Sequence, residues 1–367
     1  MSTFKVDTIN NDGTNATDAT NGFTIAGNSI VQGYTSSASE PSSPNTGDLW
    51  WDSTNEVLKR YINSEWKELS FAGDAIASYG DRGIIMGGQN GSSSRTNTIQ
   101  YFDITSTGNA ADFGDLTAEI QGSGTVSNAT LALNGGGYTG SVATSNLDYI
   151  TVATTGNAAS AGNLTYGRFN MGAFSNGTRG VFCGGYTTSN NNTVDYVTIA
   201  TSVTAADFGD SLVALRLYGT ASDNTYGIQA AGYASTYVNT IQYYTIDTTG
   251  NATDFGDLTS AYYDKMGVYD LTYSVFAGGS PATNSMDYIT TATTGNATDF
   301  GDLLIATRYW EGSGCSNGTK GVFCGGGNST QTNVMQYITV ATTGNATDFG
   351  DMTVSLWHPG CTSGNAS

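Results

Sequence analysis

The sequence predicts an all-β propeller built from four-stranded blades. Three observations carry that expectation. A unit of about 47 residues recurs six times along the chain. Each unit divides into four short β-rich segments separated by turn residues. Gly, Ser, Thr and Asn dominate, with 49 Gly among 367 residues, and stretches rich in the helix formers Leu, Glu, Lys and Ala are missing.

The period is read from three markers. Asp-Phe-Gly-Asp occurs at Asp112–Asp115, Asp207–Asp210, Asp254–Asp257, Asp299–Asp302 and Asp348–Asp351, with a degenerate copy at Ser160–Asn163. A tyrosine precedes each copy: Tyr101, Tyr149, Tyr196, Tyr243, Tyr288 and Tyr337. Earlier still stands a glycine pair or its Ala-Gly variant, from Gly87-Gly88 to Gly325-Gly326. In the unit from Met171 to Leu212, strand A is expected at Gly172–Ser175. Asn176-Gly177 supplies a tight turn, because both residues tolerate positive φ. Strand B is Arg179–Cys183, strand C Val194–Ile199 and strand D Ala206–Asp210. A lone blade cannot bury both faces, so Phe208, Phe255, Phe300 and Phe349 are expected to pack between blades.

The ends suggest how the ring closes. Residues 1–46 alternate short apolar segments with Asn/Gly turns and end in a Ser/Pro linker at Ser36–Pro44. They read as an anchoring or oligomerisation segment too short and polar to fold alone. Residues 47–367 form the expected propeller: a partial blade at 47–71, six repeats over 72–353 and a closing strand at 354–367. With Ala75–Tyr79 taken as strand A of the first repeat, the C-terminal strand is surplus. Joining it to the N-terminal partial blade gives seven blades, with six as the alternative.

Composition narrows the function. Twelve Lys and Arg against 31 Asp and Glu give a net charge of −19, which repels phosphate backbones and argues against nucleic-acid binding. No run of 18 apolar residues exists to span a membrane, and the opening residues lack the apolar core of a secretory signal. The four cysteines read as buried free thiols, and without a Cys-x-x-Cys pair no zinc site is expected.

The Gly-Gly after strand B, the tyrosine of strand C and endings such as Phe255-Gly-Asp-Leu258 resemble kelch repeats over residues 72–353, with Phe where kelch repeats more often carry Trp. The opening Ser2–Ile9 and the segment Pro41–Trp66 resemble tail-fibre and related virion proteins of marine and cyanobacterial bacteriophages. So does the repeated string at Tyr337–Asp351. That resemblance implies a virion-surface component, assembled in the host cytoplasm, held to other virion proteins through its N-terminal segment and often trimeric.

Self-comparison of the repeats points to one face. The A–B and C–D loops lie at one end of a blade, the B–C and D–A loops at the other. The C–D loops are nearly invariant, as in Thr249–Thr253, Thr294–Thr298 and Thr343–Thr347. The D–A loops vary and are aromatic. Their Tyr166, Arg168, Arg216, Tyr218, Tyr262, Tyr263, Arg308, Tyr309, Trp310 and Trp357 are the candidate ligand-binding residues. Tyr, Trp and Arg anchor binding surfaces, and the Ser/Asn-rich B–C loops supply adaptable hydrogen bonds. The expected ligand is a host-surface glycan or protein. The competing reading is that the same Arg and Tyr pack between blades.

Other chemistries carry less. Asp-Phe-Gly also occurs in protein kinases, but here it repeats on strands without a His-Arg-Asp loop. The Asp pairs could hold Ca²⁺, yet no Asp-x-Asp-x-Asp-Gly loop occurs, and solvated carboxylates are the simpler reading. No cofactor is therefore assigned. A polysaccharide-degrading propeller needs two carboxylates, and the non-repeat acids Glu119 and Glu311 are the candidates. No catalytic residue is assigned, and a purely structural capsid or tail decoration remains the alternative to a receptor binder.

Overall fold

The structure is a computed structural model. It describes residues 79–308 and 314–366 throughout, and between 23 and 68 the stretches 23–25, 28–30, 34–37, 39–45, 48–52, 57–62 and 65–68. The chain divides into two compact units, residues 1–74 and 75–367. Every regular element among the described residues is a β-strand. None is a helix long and apolar enough to cross a membrane.

The larger unit is a six-bladed propeller. In strand order A–D, blade 2 comprises Gly124–Ser127, Leu131–Gly135, Asn146–Thr151 and Ala159–Asn163. Blade 3 is Gly172–Ser175, Arg179–Cys183, Asn191–Thr198 and Ala206–Leu215. Blade 4 is Gly219–Ser222, Tyr226–Ala230, Val238–Thr245 and Thr253–Tyr262. Blade 5 is Met266–Tyr269, Tyr273–Ala277, Thr283–Thr290 and Thr298–Thr307. Blade 6 is Cys315–Ser316, Lys320–Cys324, Val334–Thr339 and Thr347–Asp351.

Blade 1 closes the ring, and here the seven-blade expectation is corrected. Its strands B, C and D are Arg82–Met86, Thr96–Asp103 and Ala111–Ile120. Its strand A is the C-terminal Gly360–Gly364, antiparallel to Arg82–Met86 with Cys361 opposite Ile85. Ala75–Ser78 lie outside the described residues, and Tyr79 belongs to no strand. The C-terminal strand is therefore not surplus. It joins the two ends of the ring through backbone hydrogen bonds and removes a free sheet edge.

The N-terminal strands Leu49–Asp52, Val57–Ile62 and Glu65–Glu68 form a sheet of their own. Its fourth strand is Tyr34–Ser37, which pairs in parallel with Leu49–Asp52 and occupies the edge a seventh blade needed for the C-terminal strand. Part of the expected linker is thus a strand. Trp50 is buried, its indole N–H donating to the Ser37 carbonyl at 3.1 Å, with Trp66 edge-on at 5.6 Å. Phe23–Ile25 and Asn28–Ile30 make a separate hairpin. The opening segment Phe4–Ile9 lies outside the described residues.

Asp-Phe-Gly-Asp proves to be a clasp between blades. The Gly156 and Ala158 amides of blade 2 donate to the Phe113 and Asp115 carbonyls of blade 1, both at 2.8 Å. The Asn157 side chain accepts from the Asp115 amide at 3.0 Å. The same bonds recur at Phe208, Phe255, Phe300 and Phe349, the last accepting from the Gly108 amide of blade 1. The central glycine is obligatory there. Gly256 has φ +146°, and a Cβ on it would stand 2.4 Å from the Gly295 carbonyl oxygen. The phenylalanines are buried between blades as expected: Phe349 meets Phe102 at 5.2 Å, and Phe208 meets Tyr244 at 6.0 Å.

The sixth junction is the exception that both partners explain. The degenerate Ser160–Asn163 faces blade 3, whose C–D loop lacks Thr-Gly-Asn-Ala. Val203–Thr204 pairs there in parallel with Gly162–Asn163 instead.

A second clasp uses the residue before each strand-C tyrosine. Asp148 accepts from Thr117, Asp195 from Thr165 and Asp287 from Thr259, each on strand D of, or just beyond it in, the preceding blade. Gln242, Gln336 and Gln100 accept from the amides of Leu212, Ile305 and Thr353. Around the axis the innermost strands are buried and linked by serines. Ser222 donates to the Ser175 carbonyl, Ser175 to that of Ser127, and Ser127 to that of Ser363, at 2.7–2.9 Å.

Candidate binding face

At the end where strand D turns into the next strand A, each of the five described turns holds one residue of left-handed φ. They are Gly122, Asn170, Leu217, Asp264 and His358, with φ from 54° to 68°. Their backbones are joined around the axis. Gly122 N–H donates to the His358 carbonyl at 3.1 Å and Asn170 to Gly122 at 2.8 Å. Leu217 donates to Asn170 at 3.3 Å and Asp264 to Leu217 at 2.8 Å. The ring requires a backbone conformation and no particular side chain. Its five described residues are accordingly all different.

Two of them titrate. Asp264 is fully buried, and neither carboxylate oxygen has a hydrogen-bond partner. Burial pushes its pKa well above the carboxylate range, against the pull of Arg308 and Arg216. His358 is also buried. Burial first, then the nearby Arg308 and Arg95 guanidiniums, lower it to about 3.

Outside this ring runs a belt of half-buried aromatic rings and guanidiniums. It starts at Arg95, 5.1 Å from the Tyr138 ring centre. Tyr138 stacks on Phe169 at 4.8 Å, and Phe169 meets Tyr186 at 5.5 Å. Arg216 lies 4.3 Å from the Tyr186 centre and 5.1 Å from that of Tyr233. Tyr233, Tyr237 and Tyr263 form a cluster with centroids 4.9–6.2 Å apart. Arg308 beside Trp357, at 5.5 Å, completes the described part. Each D–A residue is fixed by a bridge to the start of a B–C loop, such as Arg216 to Tyr233 and Phe169 to Tyr186. The belt thus offers flat apolar faces with N–H donors between them.

The sequence-predicted residues divide in two. Arg216, Tyr263, Arg308 and Trp357 stand in the belt. Arg168 does not: it is fully buried, ion-paired to Asp195 at 2.8 Å and donating to the Phe182 carbonyl at 3.1 Å. Tyr218 is fully buried too, its hydroxyl donating to the Cys183 carbonyl. Tyr166 lies half-buried beneath Arg168 at 4.6 Å, and burial raises its pKa. Tyr262 backs Lys265 at 5.3 Å, and that buried ammonium lies 3.5 Å from Asp287. Interior packing of loop Arg and Tyr is therefore real at Arg168 and Tyr218, while Tyr166 and Tyr262 are half-buried against buried cations. Tyr309, Trp310 and Glu311 lie outside the described residues. Glu119 is exposed at the end of strand D.

Several belt members were missed in the sequence. Tyr138, Tyr186 and Tyr233 each follow the glycine pair, so Gly-Gly-Tyr, or Ala-Gly-Tyr, was the available signal. The cysteines hold another surprise. All four are buried and free, as expected, but Cys315, Cys324 and Cys361 stand together, their sulphurs within 4.8 Å of one another. Burial pushes the solitary Cys183 up to about 12. Among the described residues no other group of three His, Cys, Asp or Glu is placed to hold an ion. No protein-family model and no curated protein matches the chain.

Proposed function

We propose that this chain is a phage virion-surface protein, a fibre or spike, whose kelch-like propeller binds a host-surface glycan through its B–C/D–A face. The observation that carries this reading is the belt. Tyr233, Tyr237 and Tyr263 offer ring faces to the apolar side of a sugar, and Tyr237 is 46% exposed. Arg95, Arg216 and Arg308 bring donors suited to sugar hydroxyls and carboxylates. The chain's net charge of −19 makes such a concentration of guanidiniums on one face notable. The virion assignment rests on the resemblance of Pro41–Trp66 and of the repeats. Within it, the N-terminal unit attaches the protein to other virion components, as a homotrimer by the same resemblance. Binding is favoured over catalysis because the described belt consists of aromatic rings and guanidiniums, and Asp264 is buried.

The test is binding of the full chain to candidate host cells and their extracted surface polysaccharide, across salt concentrations. Saturable binding that falls at least tenfold in a Tyr233→Ala/Tyr237→Ala/Tyr263→Ala variant with an unchanged melting curve is expected. Equal binding by wild type and variant sinks the face assignment. No binding by the folded wild type favours a decoration protein, and shortening of the polysaccharide favours an enzyme.

A further inference from the structure

The closing junction of the ring holds three of the chain's four cysteines. Cys315 lies in strand A of blade 6, and Cys324 ends strand B of the same blade. Cys361 is the second residue of the C-terminal strand, which serves blade 1. Each is at most 1% exposed, and the three sulphurs lie within 4.8 Å of one another.

The strand registers allow each position to be compared around the ring. The place of Cys315 is taken in the other blades by Val126, Phe174, Ala221, Val268 and Thr362. That of Cys361 is taken by Thr125, Ala173, Thr220, Gly267 and Gly314. That of Cys324 is taken by Met86, Gly135, Cys183, Ala230 and Ala277. Small or apolar residues satisfy the packing at every other junction. The packing alone therefore does not call for three thiols at this one.

We propose that Cys315, Cys324 and Cys361 form a three-sulphur site for a soft monovalent metal ion, Cu⁺, which pins the C-terminal strand to blade 6. Three sulphurs about 2.3 Å from a central ion stand about 4 Å apart, within the observed spread. Thiolate sulphur selects soft ions. Zn²⁺ prefers a fourth ligand, and no His, Asp or Glu joins the three among the described residues. The surroundings are apolar, including Val268, Val322, Phe323 and Leu356. Binding Cu⁺ displaces the thiol protons to solvent, because thiolate sulphur is the ligand. A disulfide would use two of the sulphurs and leave the third unexplained. The site is independent of whatever the loop face binds.

The experiment adds Cu⁺ to the full chain during anaerobic refolding with a reductant, then dialyses against a Cu⁺ chelator. One chelator-resistant copper per chain is expected, with sulphur-only neighbours by X-ray absorption and a raised melting temperature. Cys183→Ser should retain that copper, whereas Cys315→Ala and Cys361→Ala should lose it. The wild-type stoichiometry tests the site even where a variant fails to fold. Copper fully removed from refolded wild type overturns the proposal. So does equal loss in Cys183→Ser, retention of zinc in place of copper, or a mass two hydrogens lower that marks a disulfide.

Discussion

The two ends of the propeller are built by different means. At the A–B/C–D end, neighbouring blades are joined through side chains and obligatory glycines. Asn157, Asn251, Asn296, Asn345 and Asn109 each accept an amide from the preceding blade's Asp-Phe-Gly-Asp. At the B–C/D–A end, the described blades are joined around the axis through the backbones of Gly122, Asn170, Leu217, Asp264 and His358, and side chains that differ from blade to blade add to this farther out, as Asn190 does to the Tyr233 carbonyl. The first scheme demands the same residues at each of the five junctions that use it. The second demands a conformation and leaves the side chains free to differ. Regularity at one end thus coexists with variety at the other, and the variable end is where a ligand surface can evolve without cost to the ring.

Substitutions can break or sharpen this contrast. Arg168→Ala should cost about 3–5 kcal/mol in denaturant unfolding, because it strands the buried Asp195 carboxylate. A cost under about 1 kcal/mol would return Arg168 to the binding surface. Acid should act through His358. Its folded-state pKa is depressed from 6.5 to about 3, so its neutral form contributes stability that is complete above pH 6.5. That contribution is lost as pH falls from 6.5 towards 3, on the order of 5 kcal/mol in all. His358→Asn keeps a residue tolerant of left-handed φ and should flatten that part of the stability curve.

Smaller effects follow. Gly256→Ala should destabilise by about 3 kcal/mol, because its Cβ meets backbone rather than a movable side chain. An equal loss from Asn170→Gly, which keeps the left-handed φ of the backbone ring, would erase the distinction between the ends. Asp264 has a raised pKa, so its ionisation in the unfolded chain lowers stability as pH climbs above about 4. Asp264→Asn should therefore stabilise by about 1–3 kcal/mol at pH 8, with the gain fading towards pH 4. The exposed Tyr237→Ala should change stability by under about 0.5 kcal/mol while weakening glycan binding. A matched fall in both would mark Tyr237 as packing.

Much of the fold was legible because repetition makes a sequence its own alignment. The strands of blade 3, the inter-blade phenylalanines and the variable end were all read from recurring strings. The degenerate Ser160–Asn163 even marked the one junction built differently. The binding face was half legible. Arg216, Tyr263, Arg308 and Trp357 were found, but Arg168 and Tyr218 carry the same residue types on the same loops and point inward. Composition cannot tell a guanidinium stacked at the surface from one paired with a buried Asp195.

Local periodicity, turn chemistry and strand propensity are properties of neighbouring residues, and the chain alone settled them: an all-β ring of four-stranded units with one regular end. Which strand closes the ring is a competition between edges distant in sequence. Gly360–Gly364 pairs with Arg82–Met86, and Tyr34–Ser37 claims the edge that a seventh blade required. The same closure brings Cys361 to Cys315 and Cys324. Those outcomes depend on which backbone edges meet in space, so they emerged only when the whole ring was assembled.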